Sequence, residues 1–185
     1  MRFVIALVLL CIASFADAAI ARVDVLLHDD IDLLDAKIAI DRIVDADSDA
    51  AAVRREVDAW TRAVEGRAGG EHGTRAKVDL LLSTLHVAGD WNGHRSVSYD
   101  FDDPFARDPK RRSLAAYLAS RRGNCITMPV LFAILGRRLG LELALARAPH
   151  HLFVKVRDDD GRWFNVEATA GGLKSDDAYV RDTYI

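Results

Sequence analysis

The chain has few of the residues that mark specialised protein classes. It holds 2 cysteines among 185 residues, too few for a disulfide-stabilised scaffold. Its 12 glycines and 4 prolines exclude a collagen-like or low-complexity chain. It also lacks a basic excess, because its net charge is −3 and its isoelectric point is near 6.1. Nucleic acid is therefore not an expected partner, since proteins that bind phosphate backbones usually carry excess positive charge.

The residues that are present are typical of one globular domain. Half of them are hydrophobic and 29% are charged, which excludes a disordered chain and supplies a packed core. No linker and no internal repeat marks a second domain. We therefore expect a single domain over residues 19–185, with a helical part at about 28–120 and the candidate functional residues at about 121–172.

The first 18 residues resemble a secretory signal peptide. Arg2 gives a positive start, residues 3–13 are almost wholly apolar, and Ala16–Ala18 places small residues at a cleavage site. The apolar run is too short to span a bilayer, which takes about 20 residues. We predict cleavage after Ala18, a secreted or periplasmic protein, and no stable membrane span. The alternative is that this run forms a buried helix or strand.

Hydrophobic spacing predicts three helices before residue 89. Asp47 and Asp49 separate the first two helices. A glycine-rich loop at 66–73, followed by Thr74, separates the second from the third. The segment 89–112 has no periodicity and carries aromatic residues among acidic ones, so it forms either a wall of a binding cleft or a covered surface loop. The three apolar stripes are Leu33, Ala36, Ile40, Ile43 and Val44; Val53, Val57, Trp60 and Val64; and Val78, Leu81, Leu82 and Leu85.

Cys125 would be the single cysteine of the chain left after cleavage. A buried packing cysteine is the commoner interpretation of an isolated thiol. Asn124 is a good N-cap, however, and the apolar stripe from Met128 to Leu139 indicates a buried helix that Cys125 opens. The helix N-terminus favours a thiolate there, and its N–H groups suit an oxyanion on an attacked carbonyl.

Three strand-like runs follow this helix. They cover residues 141–148, 151–157 and 162–169, and Asp158–Gly161 forms a turn between the last two. The three acidic side chains of this turn are solvated or hold a cation weakly. An antiparallel hairpin with one added strand brings His151 close to the Glu167 end. A thiol at a helix N-terminus, a histidine and an acid on neighbouring strands form a Cys–His–acid arrangement.

At this point the sequence resembles a known family. Gly123–Cys125 before a helix, Pro149–Val154 on a strand and Trp163–Gly172 are similar to the three active-site segments of transglutaminase-like proteins, most of all the bacterial SirB-type branch. The resemblance covers about 150 residues. It implies an α+β fold of the papain-like and transglutaminase-like kind, in which a helical part and a cysteine-headed helix pack on a small antiparallel sheet.

The resemblance also assigns roles. It makes Cys125 the nucleophile, His151 the base and Glu167 the acid, although the usual third residue of the superfamily is the shorter aspartate. His150 is the alternative base if the cysteine helix packs on the purely apolar face of the strand. Asn165 is the alternative orienting group. The supporting groups that we expect around the oxyanion and the imidazole are Asn124 and Asn165.

We therefore expect a cysteine hydrolase or acyltransferase that cleaves an amide or ester through a thioester, as a peptidase, amidase or transamidase. A protein or peptide is the expected substrate, and the oligomeric state is left open. No cofactor or metal is expected, since the imidazole activates the nucleophile and the histidines show no metal-ligand spacing. The alternatives are an inactive binding domain of the same fold, with residues 91–105 as its ligand surface, and a redox-sensing thiol.

Overall fold

The computed structural model describes residues 31–70, 73–149, 151–171 and 177–184. The proposed signal peptide and His150 lie outside these residues. Contacts within the chain divide it into two compact units, Met1–Ser48 and Asp49–Ile185. No helix in the described ranges is both long and apolar enough to cross a bilayer.

The first unit contains helix α1, Leu33–Val44, which the Asp32 carboxylate caps. The predicted stripe is wrong here, because Ile40, Ile43 and Val44 are 46, 53 and 55% exposed. The i,i+4 ion pair between a lysine and an aspartate allows two charged residues to share the buried face. The residues that are buried instead are Leu34, Lys37, Ile38, Ala39 and Asp41.

The second unit begins with two helices whose predicted stripes are confirmed. Helix α2 spans Ala50–Arg67 and helix α3 spans Thr74–His86, and the two helices pack together. Asp49 caps α2 through the Ala52 N–H group. Their apolar stripes form part of the core, with Val53, Val57, Trp60, Val64, Val78, Leu81, Leu82 and Leu85 all buried.

The segment after α3 is largely irregular, as predicted. It includes 3-10 turns at Asp90–Asn92 and Pro109–Arg112. It also contains strand β1, Ser98–Tyr99, which pairs in parallel with strand β2, Arg122–Gly123. The sequence does not predict β1, since two residues are too few to show strand periodicity. This pairing ties the irregular segment to the residues just before Cys125.

Two helices and a three-stranded sheet complete the site region. Helix α4, Leu114–Ser120, is capped by Ser113, and the buried helix α5 spans Thr127–Arg138. The sheet confirms the predicted hairpin with one added strand, and α5 packs on its first two strands. Its antiparallel strands, in sheet order, are β3, Leu143–Ala148; β4, His151–Arg157; and β5, Trp163–Val166.

Both faces of the sheet meet other parts of the fold. Val154 and Val156 on one face of β4 are fully buried. On the other face, Phe153 and Ala148 form a buried cluster with Val180 of helix α6, Asp177–Tyr184. Both faces of the sheet are therefore covered.

The acidic turn between β4 and β5 has a structural role, because its carboxylates bind other parts of the chain. Asp158 pairs with Arg75 at 2.6 Å, and Asp159 accepts from the Thr74 N–H and hydroxyl at 3.1 and 2.6 Å. Asp160 pairs with the arginine two residues later. Each carboxylate thus has a protein partner, so the cation-holding interpretation of the turn is not supported. Asp159 instead fastens the turn to the N-terminus of α3.

Candidate active site

Cys125 lies in the short turn between β2 and α5. The Asn124 side-chain oxygen accepts from the N–H groups of Ile126 and Thr127 at 3.1 and 3.0 Å. A reciprocal hydrogen bond runs from the Asn124 N–H group to the Thr127 hydroxyl at 3.0 Å. The Asn124 side chain thus binds N–H groups at the start of the helix, but the N-cap residue is Ile126 and the helix begins at Thr127, so the predicted N-cap position was two residues too early and Cys125 precedes the first turn.

A glycine precedes this cap because the chain is crowded there. A β-carbon on Gly123 would overlap the side chains of Met128 and Tyr117. The glycine therefore lets the backbone of β2 approach α4 and α5 closely. This approach fixes where the Cys125 turn begins.

A buried carboxylate, paired with two partly exposed arginines, holds the irregular segment against the same turn. Asp100 accepts from Arg111 at 2.6 Å and from Arg122 at 2.8 Å. The backbone carbonyl of Arg111 accepts from the Asn124 side-chain amide at 2.8 Å. Asn124, next to Cys125, is thus linked through Arg111 to the ion pairs of Asp100, which sequence patterns did not reveal.

His151 and Glu167 form the second part of the site. His151 opens β4, Glu167 directly follows β5, and they are only 8 and 3% exposed. The His151 Nε2 atom lies 2.6 Å from Glu167 Oε2. The other carboxylate oxygen accepts from the Thr169 N–H and hydroxyl at 3.2 and 2.5 Å. With Glu167 ionised, Nε2 carries the proton and donates it, so the neutral ring has its lone pair on Nδ1.

The charge state of Glu167 follows from these contacts. Burial alone would raise the pKa of this carboxyl group, but the hydrogen bonds from His151 and Thr169, together with the histidine charge, lower it overall. Glu167 is therefore ionised at neutral pH. It can orient the imidazole and stabilise its cation.

The Cys125 thiol behaves differently from the sequence expectation. Burial raises its pKa, and the carboxylates of Asp103 and Glu167 act in the same direction. Arg112 opposes them, but the net direction is upward. The helix N-terminus, which was expected to favour a thiolate, therefore does not outweigh burial at Cys125. The thiol needs a base to take its proton.

Cys125 and His151 line one cleft of about 580 Å3. Its walls come from the irregular segment, the start of α5 and the end of the β3–β4 hairpin. The structure thus favours the interpretation of residues 89–112 in which part of the segment, at Phe105 and Arg112, walls a cleft. The described lining residues are Phe105, Arg112, Cys125, Ile126, Arg147, Ala148, His151 and Leu152.

The other candidate groups are placed as follows. Asn165 is buried on β5, opposite Lys155 in the strand register and two residues before Glu167. Asn124 is engaged in capping, with its amide on the Arg111 carbonyl. His94 is exposed and pairs with Asp90. Within the described ranges, no group of three or more His, Cys, Asp or Glu side chains is arranged to hold a metal ion.

Comparison with known proteins identifies the family. The family model described as "Transglutaminase-like superfamily" matches residues 51–181, more than two thirds of the chain. The chain belongs to the transglutaminase-like superfamily. This is a fold of cysteine-based acyltransferases and hydrolases, and the predicted α+β architecture is confirmed. The narrower SirB-type branch stays a prediction.

Another comparison gives a more distant likeness. A solved structure titled "Crystal structure of a TGase" is 15% identical, with a TM-score of 0.49. The match covers 73% of this chain and 37% of the other, so this transglutaminase-like chain spans well under half the length of that protein. No curated protein sequence matches the chain.

Sequence reasoning missed several residues around the site. Arg147 and Leu152 form a cross-strand pair that lines the cleft, and Thr169 holds the second oxygen of Glu167. Arg112 is the last residue of the basic run 110–112, and this run did not indicate which part of the fold its side chains would face. Thr169 lies within the third resemblance segment but attracted no role, because its contact depends on the chain turning directly after β5.

Proposed function

We propose that this transglutaminase-like chain is an exported cysteine acyltransferase or hydrolase acting on an amide or ester of a protein or peptide. Cys125 is the nucleophile, His151 the base and Glu167 the orienting acid. The observation that carries the proposal is the buried 2.6 Å contact between His151 and Glu167 beside the cleft that Cys125 also lines. A solvent-shielded imidazole with an ionised partner is what a buried thiol needs for activation.

The reaction begins with proton transfer from the Cys125 thiol to Nδ1 of His151, while Nε2 keeps its proton on Glu167. The thiolate attacks the carbonyl carbon, and the carbonyl electrons move to oxygen. Collapse of this adduct forms a thioester and expels an amine or alcohol, which takes the proton from His151. Water or an amine then attacks the thioester and gives its proton to His151. Cys125 leaves as a thiolate, which His151 reprotonates.

The supporting residues have separate tasks in this proposal. Asn124 sets the position of Cys125, because its side chain holds the turn at Ile126 and Thr127 and the Arg111 carbonyl. Asn165 supports the Glu167 end of β5 from a buried position. Neither role requires a metal or an organic cofactor.

We also propose that residues 1–18 are removed on export, which leaves a single transglutaminase-like domain over 19–185. The support is the charged start, apolar run and small residues at 16–18. The test is the N-terminal sequence of the protein recovered from an exporting bacterium. Ala19 at the N-terminus supports export, whereas an intact Met1 contradicts it.

Acyl-enzyme formation tests the function directly. With 4-nitrophenyl acetate, we expect a burst of 4-nitrophenol equal to the enzyme concentration and an acetyl group on Cys125 by peptide mass spectrometry. Cys125→Ser and His151→Ala should abolish the burst. His94→Ala is the matched control, because His94 is exposed and outside the cleft. A burst that survives His151→Ala would overturn the assignment of the base.

A binding domain is the second candidate function. Two observations favour it: the raised pKa of Cys125 and the exposed aromatic rings of Phe101 and Phe105, which are 80 and 55% exposed. This candidate predicts no acetyl-enzyme with the wild-type chain and peptide binding that is unchanged in Cys125→Ser. The burst experiment therefore separates the two functions.

A further inference from the structure

The cleft beside Cys125 carries positive charge from two distant parts of the chain. Arg112 ends the 3-10 turn before α4, and Arg147 lies near the end of β3. Both guanidinium groups belong to residues that line the cleft, and none of the described lining residues is Asp or Glu. The chain as a whole has a net charge of −3. The pair of arginines lining the cleft is therefore a local feature and not a consequence of overall composition.

The nearby carboxylates are engaged elsewhere. Asp103 accepts from the backbone N–H groups of Arg107 and Asp108 at 2.8 and 3.0 Å. Both oxygens of Glu167 are used by His151 and Thr169. These contacts hold both acids in the scaffold around the cleft, and their negative charges act on the Cys125 thiol.

Arg147 is the clearer of the two cationic groups. It is exposed, and the structure shows no ion pair or hydrogen bond between it and any residue within the described ranges. Its cross-strand neighbour is the apolar Leu152, which also lines the cleft. Arg112 by contrast is held by the Ala106 carbonyl and influences the Cys125 thiol itself.

We propose that the acyl donor carries an anionic group, in the simplest case a carboxylate, close to the carbonyl that Cys125 attacks. Arg147 and Arg112 bind this group, since a guanidinium matches the geometry of a carboxylate. Apolar side chains of Phe105, Ile126 and Leu152 contact the carbon chain between the two groups. This inference rests on the proposed function, because it treats Cys125 as the nucleophile of the cleft.

The first test needs no turnover. The rate at which Cys125 is alkylated by iodoacetate is divided by the rate with iodoacetamide, at low salt, using peptide mass spectrometry to follow this thiol alone. The urea-unfolded chain gives the intrinsic ratio of the two reagents. A cationic cleft concentrates anions about tenfold or more, so we expect a ratio about 10-fold above the unfolded value that falls with added salt.

Arg147→Gln should reduce this ratio several-fold while the iodoacetamide rate stays within about twofold, because only the charged reagent senses the lost cation. Arg137→Gln is the matched control. It removes one exposed positive charge near the far end of α5, about 15 Å along the helix axis from its first residue, and should leave the ratio unchanged. A ratio equal to that of the unfolded chain, or one that Arg147→Gln does not change, would overturn the proposal.

The second test uses esters and separates substrate class from catalysis. Mono-4-nitrophenyl adipate and 4-nitrophenyl hexanoate differ in the terminal carboxylate, and Cys125→Ser supplies the background rate. We expect a kcat/KM preference for the anionic ester that Arg147→Gln removes and Arg137→Gln keeps. Turnover of both esters without preference overturns the anionic substrate alone. A charge-selective alkylation ratio without any turnover overturns the proposed function and leaves Arg147 as part of an anion site.

Discussion

Glu167→Gln is the sharpest perturbation of the site, because it removes charge while keeping shape. In the wild-type chain both carboxylate oxygens accept hydrogen bonds, one from His151 and the other from Thr169. Glutamine has one oxygen and one NH2 group. If the NH2 group faces Thr169, two donors meet. If it faces His151, Nε2 must become the acceptor, and the proton of the neutral ring moves to Nδ1.

Either orientation should lower both the free energy of unfolding and the rate of the reaction. A hydrogen bond to a charged group contributes about 1.5–3 kcal/mol, so we expect the free energy of unfolding to fall by about 2 kcal/mol. For a chain of this length that corresponds to about 4–8 °C in Tm. A ring with its proton on Nδ1 cannot accept the Cys125 proton, and a wrong tautomer in a triad lowers kcat on the order of 10⁴-fold.

The assay is the second-order rate of Cys125 alkylation by iodoacetamide from pH 5 to 9. At pH 6 an ordinary thiol with a pKa near 8.5 is ionised in about 1 molecule in 300. An activated pair escapes this limit, so we expect Glu167→Gln to lower the rate at pH 6 by at least about 100-fold. Glu142→Gln, at an exposed glutamate on the surface, should change nothing. Equal rates for wild type and Glu167→Gln across this range would refute the reasoning.

Three further predictions concern the frame of the site. Asn124→Ala removes the cap of two N–H groups and should lower the free energy of unfolding by about 1–3 kcal/mol in urea titration. Asp100→Asn should weaken the fall of Tm as the pH is lowered below neutral. Burial raises the pKa of the Asp100 carboxyl group, but hydrogen bonds and charge from its arginines and one backbone N–H lower it overall. Its stabilisation is thus complete above the ordinary pKa near 4 and lost as pH falls through the folded pKa. Gly123→Ala would force a β-carbon against Met128 and Tyr117 and should cost about 1–3 kcal/mol in the same titration.

Two matched variants make these outcomes decisive. Asp102→Asn removes a mainly exposed partner of Arg122 and should leave the pH dependence of Tm intact. Gly66→Ala adds a β-carbon in α2 where no neighbour lies within 4 Å, so it should be neutral or stabilising. A loss at Gly66 as large as that at Gly123 would show that crowding is not the cause.

Sequence patterns predicted the elements that bury one continuous apolar stripe. Val53, Val57 and Val64 follow helical spacing and are buried, because α2 is long enough for its packed face to dominate. The strands were predicted for the same reason, with residues 151–157 bounded by turn residues. Spacing failed for α1, where Ile40 and Ile43 are exposed while charged residues occupy the buried face. A local pattern cannot show that an ion pair takes part in burial.

The site was only partly predictable, because its parts differ in how local they are. The hydrogen bonds from Ile126 and Thr127 to the Asn124 side chain are local, so the sequence predicted a capping role for Asn124, although the N-cap residue itself is Ile126. The contacts of Asp100 with Arg122 and of Asp159 with Thr74 join separate segments of the chain, so no short motif contains them. Arg147 and Arg112 likewise line one cleft only because the fold brings their segments together. The arrangement of His151 and Glu167 was predicted only because two neighbouring strands with a tight turn have one simple register.

The ionisation of Cys125 shows which of two effects dominates. A helix N-terminus stabilises an anion by about 0.3–1 kcal/mol, which is less than one pKa unit. Removing a charged group from water can shift a pKa by several units in the opposite direction. Cys125 is buried and faces the negative charges of Asp103 and Glu167, so its pKa is raised. In the proposed mechanism a thiolate at this position requires His151 and Glu167, so single changes at either residue should abolish activation while Cys125 itself stays in place.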